Sequence, residues 1–517
     1  DRLKLVRAMR FMIIILSACT ALSLAGSTKA FDLLVIGSGS AGLQAAKVAA
    51  RFGKSVAIIE KQPVFGGDCT WTGCVPSKSL LATASRAHAV RTAGELGITT
   101  GAGDPSVVRI NMKVAKAQLE GVIQRIYDAD DAPSVLEELG ITPVFGAAQF
   151  VNRKTLEVTS ADGTRKIYTA RKGIVIGTGA QPRRPDLEGL SDVDYLTYES
   201  VWALDELPES LAVIGGGPIG CELAQAFARL GSSVTLIASK LLPSADGSAG
   251  ELLQDAFVHE GIAVVAARAK SISSGGGSGK QVIVEHEDGT ISEVHANTLL
   301  VAVGRQPLTS GLGLDKIGVQ LTERGGIQVD SKLQTSVRGV YAAGDVTGDQ
   351  QFTHYAATQG GLAAVNAIFS FLGPFQYKGV FVEEVPACTF TSPQVASVGL
   401  SQEQAVAKYG SGAVKSITRS LDHVDGAIAG RTDAYGFVKL VYLGKNTQLL
   451  GATIMAPAAG EMIAEVTVAI ANKMKLSQMA TVMHAYPTLG VAIQQCAAEV
   501  YYDSLDPYIS LLNKLGL

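Results

Sequence analysis

A chain of 517 residues, 47% of them hydrophobic and with a formal net charge of −3, is too long for one hydrophobic core and predicts several domains. Its 57 glycines and sparse aromatics (6%) suit α/β architecture, in which glycine makes the tight turns between strands and helices. No basic stripe predicts a nucleic-acid partner, no acidic run predicts a disordered tail, and six cysteines in so long a chain exclude a disulfide framework.

The chain opens on a segment that reads as an address. Arg2, Lys4, Arg7 and Arg10 precede an uncharged stretch, FMIIILSACTALSLAGST (11–28). A basic start followed by a short apolar run predicts a secretory or periplasmic signal peptide over residues 1–30. Ser23 and Ala25 supply a small-x-small cleavage pattern, with Ala30 a later candidate. In an algal host the same stretch would be the first half of a plastid signal. The run is short and dotted with Ser and Thr, which disfavours an uncleaved anchor, and no stable membrane partner is expected.

From Phe31 the order is apolar strand, glycine turn, Ala-rich helix, second apolar strand, acid. Gly37, Gly39 and Gly42 stand in G-x-G-x-x-G spacing and Glu60 ends the second strand. Gly37 allows the turn, Gly39 lets the backbone approach a pyrophosphate, and Gly42 lets helix and strand pack. The helix N-terminus faces the phosphates, and Glu60 can accept from a ribose hydroxyl. Next comes GGDCTWTGCVPSK (66–78), with Cys69 and Cys74 the only close cysteine pair. Three uses are open to it. An inert staple would close a tiny loop and stabilise little. A metal site needs further ligands, which are not nearby in sequence. A redox couple uses every neighbour. Pro76 suits the first turn of a helix, Cys74 near that helix's N-terminus is favoured as a thiolate, and Gly66 and Gly67 permit close approach to a ring.

The strand–turn–helix pattern recurs from Leu211, with Gly215, Gly217 and Gly220. Two such units imply two dinucleotides. Here the second strand ends in IASK, with Ala238 where an acid would sit. Without the acid the 2′-hydroxyl of NADH loses its partner, while Ser239 and Lys240 are placed for the 2′-phosphate of NADPH. NADPH is therefore expected, with NADH possible. Between the units, IVIGTGAQPRRP (174–185) carries Gly179, and after the second comes LLVAVGRQP (299–307) with Gly304; both read as strand ends that turn sharply. SSGGGSGK (273–280) reads as a flexible loop insertion, and AAGD places Gly344 and Asp345 after a short strand.

This succession resembles the FAD-dependent pyridine nucleotide–disulfide oxidoreductases, which include glutathione reductase, dihydrolipoyl dehydrogenase and mercuric reductase. The resemblance runs from about residue 31 to the end; CVPSK after the C-x4-C is its most specific part. TFTSPQVASVG (389–399) and GFVKLVYLGKNTQLLGATIMAPAAGEMI (436–463) resemble the family's dimerisation domain, in wording nearest mercuric reductase. The resemblance implies two Rossmann-like domains and a C-terminal α+β domain. An FAD domain would span 31–186 and 307–378, an NAD(P) domain 187–306 and a dimerisation domain 385–517, assembled as a homodimer. It implies that Gly37, Gly39, Gly42, Glu60 and Asp345 bind FAD, the last at the ribityl chain, and that Gly215, Gly217 and Gly220 bind the nicotinamide dinucleotide. Gly66, Gly67, Gly179, Gly304 and Gly344 complete the cofactor turns. Cys74 is then the thiol beside the flavin and Cys69 the thiol that meets substrate. Lys78 and Glu222 match a pair near the flavin and nicotinamide.

The C-terminal pattern departs from that of the disulfide reductases, which carry His-Pro-Thr with a Glu five residues after the His. Here HAYPTLGV (484–491) puts Tyr486 at the histidine position and Val491 at the glutamate position. Tyrosine titrates near about pH 10 and is a poor base at neutrality. His484, two residues earlier, is the alternative acid–base group, or else a surface or cofactor-contacting histidine. In the family's dimer Tyr486 would face the other subunit's Cys69. Reducing a disulfide releases a thiolate that needs a proton; reducing a metal ion needs thiolates and electrons. The tail lacks mercuric reductase's paired cysteines, and Cys496 reads as a buried helical thiol, so a specific use of mercury is not expected. The expected activity passes electrons from NADPH through FAD and a Cys69–Cys74 disulfide to a metal ion or small electrophile. The alternatives are a lipoamide- or glutathione-type disulfide reductase, and a flavoprotein redox sensor or thiol metal-binding protein.

Overall fold

The computed structural model describes residues 29–98, 108–275, 279–375, 377, 379, 385–432, 434–506 and 514. The leader expected over 1–30 lies outside them except for Lys29 and Ala30, which open the first strand. So do residues 276–278 of the glycine–serine insertion, whose flanks end one strand and begin the next. By packing, the chain divides into two compact units. One comprises Asp1–Cys69, Arg125–Gln181 and Gln306–Gly379; the other comprises Thr70–Gln124, Pro182–Arg305 and Val380–Leu517.

The first unit is built on β1 (Lys29–Ile36), α1 (Ser40–Arg51) and β2 (Val56–Glu60). All five residues of β2, VAIIE, are buried, the mark of a strand covered on both faces of a parallel sheet. Next in the chain come the short helix α2 (Gly67–Trp71), at which the first unit breaks off after Cys69, and the long α3 (Cys74–Thr92), which belongs to the second unit; the first unit resumes at Arg125. Then come β3 (Ile141–Phe145), β4 (Ala147–Asn152), β5 (Thr155–Thr159) and the twelve-residue β6 (Arg165–Ile176). The sheet order is β3–β2–β1–β6–β5–β4, parallel from β3 to β6 and antiparallel beyond. Register aligns the strand ends: Ile36 lies opposite Ile59 on one side and Ile176 on the other.

The second unit contains β7 (Ser210–Ile214), α4 (Pro218–Leu230), β8 (Ser233–Ile237), α5 (Gly247–His259) and β9 (Ala263–Val265). An antiparallel trio follows, β10 (Ala267–Ser274), β11 (Lys280–His286) and β12 (Ile291–Ala296), then β13 (Thr298–Val301). The parallel sheet runs β9–β8–β7–β13, with Ile214 opposite both Ile237 and Val301. The chain then returns to the first unit, where β14 (Val340–Ala342) pairs with the end of β6 and α6 (Thr353–Ile368) follows.

The C-terminal segment belongs to the second unit. It folds as β15 (Ala387–Thr389), β16 (Gln394–Gly399), β17 (Val414–Ser420), α7 (Asp425–Ala429), β18 (Phe437–Leu443), β19 (Leu449–Ala456), α8 (Ala459–Ala471) and α9 (Val491–Asp503). The sheet is antiparallel, order β15–β16–β19–β18–β17. All eight residues of β19 are buried, and Ile454, Val438, Leu440, Ile463, Val466 and Cys496 share one core. The apolar spacing of AEVTVAIANKM (464–474) is thus mostly core, through Val466 and Ala469, although Val468 is exposed. Among the described residues no helix is long and apolar enough to cross a membrane.

Polar contacts hold this sheet to α5. Lys439 on β18 meets Asp246 at 2.8 Å, with side chains only 13% and 3% exposed, and Asp246 also caps α5 by accepting from Ser248 N. Removing one member of so buried a pair leaves an uncompensated charge, at a cost of about 3–5 kcal/mol. Lys439→Met is therefore expected to lower the thermal unfolding midpoint markedly. Adding Asp246→Asn should recover much of that loss; a double variant as unstable as the sum of the two singles would contradict the pairing.

Candidate active site

Strand register brings the predicted cofactor turns of the first unit to one sheet edge. Gly37 N donates to Ile59 O, Gly177 N to Ile36 O and Ala343 N to Ile176 O, at 2.8, 2.8 and 3.0 Å. Glu60, the Gly37–Gly39 turn, the 177–179 turn and Gly344–Asp345 therefore all emerge at the carboxyl ends of parallel strands, where open α/β sheets bind ligands. Gly37 has φ +92°, and a Cβ on Gly42 would lie 1.9 Å from Gly37 O, so neither position tolerates a side chain. A Cβ on Gly39 would meet nothing within 4 Å: the turn is open where a phosphate would approach. Gly39 also caps α1 with no side-chain bond, leaving the helix's first N–H groups for a ligand. Buried Glu60 is oriented by Ser38, whose N and Oγ donate to Oε2 at 2.9 and 2.8 Å. The motif's middle residue Ser38 was not singled out from sequence. Gly66 N donates to Ser38 O, and Gly67, at φ +60°, packs against Gly39 so closely that a Cβ would reach its Cα at 2.6 Å. The cysteine segment thus begins on the turn itself. These features fit an FAD diphosphate and ribose.

The second unit repeats the device. Gly215 has φ +122°, a Cβ on Gly220 would lie 1.9 Å from Gly215 O, and Gly217 is open. Pro218 fills the first turn of α4. Beside the turn, Ala238 follows β8 directly, and a cavity of about 290 Å³ is lined by Gly215, Gly216, Ala238, Ser239, Lys240 and Arg268 among others. Gly304, at φ +107°, accepts from Arg183 N. Gly179, at φ +73°, accepts from Leu308 N in the first unit.

Cys69 lies in α2, half-buried; Cys74 is the first residue of α3 and exposed, with Pro76 in the same turn. That position places Cys74 where the helix dipole favours a thiolate. The other described cysteines are of a different kind. Burial pushes the thiols of Cys221, Cys388 and Cys496 each up to about 12, so they stay protonated at neutrality. Among the described residues no group of three or more His, Cys, Asp or Glu stands ready to hold a metal.

One turn after Cys74, Lys78 Nζ lies 2.7 Å from Glu222 Oε2 and 4.4 Å above the Phe390 ring. The other Glu222 oxygen accepts from Phe390 N at 2.8 Å. Glu222, Gln225 and Arg229 recur at spacings of three and four, which puts them on one face of α4. All three are buried and all are satisfied: Gln225 bonds Ser392 through both N and O, and Arg229 grips Glu260 through two nitrogens at 2.7 and 2.6 Å. Sequence reasoning found Lys78 and Glu222 and missed Phe390, whose backbone contact leaves no local spacing signal.

At the C-terminus the two candidate groups separate. His484 is half-buried, not a surface group; Nδ1 lies 3.0 Å from Val482 O and Nε2 2.9 Å from Glu465 on α8. Both ring nitrogens face acceptors, so the imidazole is committed to the Val482 carbonyl and to Glu465 on α8. Tyr486, by contrast, is 71% exposed, and its hydroxyl donates to Asp425 Oδ2 at 2.6 Å. That hydrogen bond and the carboxylate's charge raise the phenol above its ordinary value. Tyr486 is thus a neutral phenol at physiological pH. Val491 merely opens α9. Asp425 and Glu465 had no sequence signal, lying 61 and 19 positions from their partners.

The chain matches the family model described as pyridine nucleotide-disulphide oxidoreductase over residues 31–360, and that family's dimerisation domain over 385–497. It is 36% identical to mercuric reductase of Streptomyces lividans over 469 residues, covering 90% of this chain and 95% of the relative. It is 31% identical to dihydrolipoyl dehydrogenase 2 of Haloarcula marismortui, covering 91% and 97%. Among solved structures, LpdA from Mycobacterium tuberculosis superposes with TM-score 0.79 at 28% identity, covering 91% of this chain and 99% of that one. The HOCl-induced flavoprotein disulfide reductase RclA from Escherichia coli, in its Cu(II) complex, gives 0.77 at 26%, covering 91% and 100%. With two dinucleotide cradles, a C-x4-C helix and a matching dimerisation domain that supports a homodimer, the chain belongs to the pyridine nucleotide-disulphide oxidoreductases and is an NAD(P)H-dependent flavoprotein oxidoreductase.

Proposed function

We propose that this enzyme takes two electrons from NADPH, carries them through FAD to the Cys69–Cys74 disulfide, and delivers them from the dithiol to a soft metal ion or small electrophile. The observation that carries this reading is Tyr486 bonded to Asp425 where disulfide reductases place a His–Glu dyad. A neutral phenol held by a carboxylate is a poor proton donor to a leaving thiolate. An acceptor that needs thiolate ligands and electrons makes no such demand. The relatives named mercuric reductase and the Cu(II) complex of RclA support the same class of acceptor. A lipoamide-type disulfide is the second reading, supported by the dihydrolipoyl dehydrogenase relative and opposed by Tyr486 and Val491.

In this reading the turn of Gly37, Gly39 and Gly42 and the N-terminus of α1 would hold the FAD diphosphate, Glu60 its ribose and Asp345 its ribityl chain. FAD, when bound, supplies the two-electron relay. Gly215, Gly217 and Gly220 hold the NADPH diphosphate, and Ala238, Ser239 and Lys240 favour the 2′-phosphate. Lys78 places a positive charge one turn into α3, and Glu222 holds Lys78. Reduction opens the disulfide to a Cys74 thiolate and a Cys69 thiol. Re-forming it delivers two electrons to the acceptor, as one two-electron or two one-electron transfers, and releases the single proton carried by Cys69 to solvent.

Cys69→Ser and Cys74→Ser are each expected to cut NADPH-driven reduction of metal ions and small disulfides by about a hundredfold or more, while oxygen or quinone turnover persists. Undiminished metal turnover in Cys69→Ser would place the dithiol off the path. Tyr486→Phe is expected to change metal turnover less than about tenfold and to leave its pH profile near neutrality unaltered. Asp425→Asn should lower the ionisation of Tyr486 toward that of an ordinary tyrosine, seen as a phenolate absorbance absent from Asp425→Asn/Tyr486→Phe.

A further inference from the structure

The cavity beside the second cradle holds a cation that the glycine motif does not predict. Arg268 stands on β10, three residues beyond Val265. The parallel pairing of Ile237 with Val265, and the bond from Ala238 N to Val265 O at 3.1 Å, hold that segment against the end of β8. Arg268, Ser239 and Lys240 consequently line one cavity. Lys240 is fixed from the other side: its carbonyl crowds Gly216, where a Cβ would come within 2.3 Å, and Leu242 N donates to Gly216 O at 2.7 Å.

Both cations are uncommitted. Neither Lys240 nor Arg268 forms an ion pair with another described residue, and both are exposed. The carboxylate across the sheet from Arg268, Glu285, is engaged by Lys270 at 2.9 Å. One acid, Asp186, also lines the cavity, so the charged side chains around it are two cations and one anion. Two unpaired cations and a hydroxyl next to a strand end that lacks the usual acid form a site for a dianionic phosphate ester.

We propose that Arg268 is a specificity-determining residue: it joins Lys240 and Ser239 in holding the 2′-phosphate of NADPH. This rests on the NADPH reading given above. A planar guanidinium can engage two phosphate oxygens at once, which Lys240 cannot, so Arg268 carries most of the discrimination.

The test uses adenosine fragments on the FAD-loaded protein, titrated calorimetrically with 2′,5′-ADP and with 5′-AMP. The wild type is expected to bind 2′,5′-ADP at least about tenfold more tightly. Arg268→Ala should reduce that preference to about threefold or less with 5′-AMP affinity unchanged, which also shows the pocket intact; Arg268→Lys should keep an intermediate preference. If Arg268→Ala keeps the full preference and Lys240→Ala loses it, the assignment of Arg268 is overturned while the NADPH reading stands. If the wild type binds both fragments equally, the NADPH reading fails and Arg268 falls with it.

Discussion

Both carboxylate oxygens of Glu222 are committed, and much of the second unit depends on that commitment. One oxygen holds Lys78 on the helix that begins at Cys74; the other accepts the backbone N–H of Phe390 in the C-terminal segment. A buried carboxylate with two charge-assisted partners is stable where a lone one would be costly. Gln225 and Arg229 continue the same row, so a single face of α4 ties three stretches of sequence far apart in the chain. This also explains why Thr70–Gln124 packs with the second unit although, in sequence, it interrupts the first cradle's fold. The redox helix is fastened by the helix that carries the second glycine motif.

The thiols sort by environment. Cys221, Cys388 and Cys496 are kept neutral by burial, and Cys221 and Cys388 additionally by the negative charge of Glu222. Cys74 opens a helix and is exposed. Nucleophilic and ligating chemistry belongs to the thiolate, so the C-x4-C pair is where the described chain can use sulfur. The acid–base side of the chemistry is muted to match. His484 is held by Glu465 and a carbonyl, and Tyr486 is kept as a phenol by Asp425.

The two cradles were legible in the sequence because their chemistry is local. Three glycines at fixed spacing, a flanking strand and helix, and the residue ending the next strand determine the geometry, and both turns repeat it: a Cβ on Gly42 or on Gly220 would fall 1.9 Å from the carbonyl oxygen of Gly37 or Gly215. The contrast between Glu60 and Ala238 could be read for the same reason. The partners that finish the site could not. Phe390, Asp425 and Glu465 act on residues reached through the fold, and no periodicity in the chain connects them. Family likeness located Lys78, Glu222 and Tyr486, but their neighbours decide what those side chains can do.

In the proposed reaction electrons leave the flavin through Cys74. An anaerobic titration of the FAD-loaded wild type with NADPH, following the flavin spectrum, tests it most directly. A long-wavelength absorption band is expected after one reducing equivalent pair, the sign of a thiolate against the flavin with the disulfide opened. Direct bleaching of the flavin without that band would show the cysteines bypassed and would rule out that route.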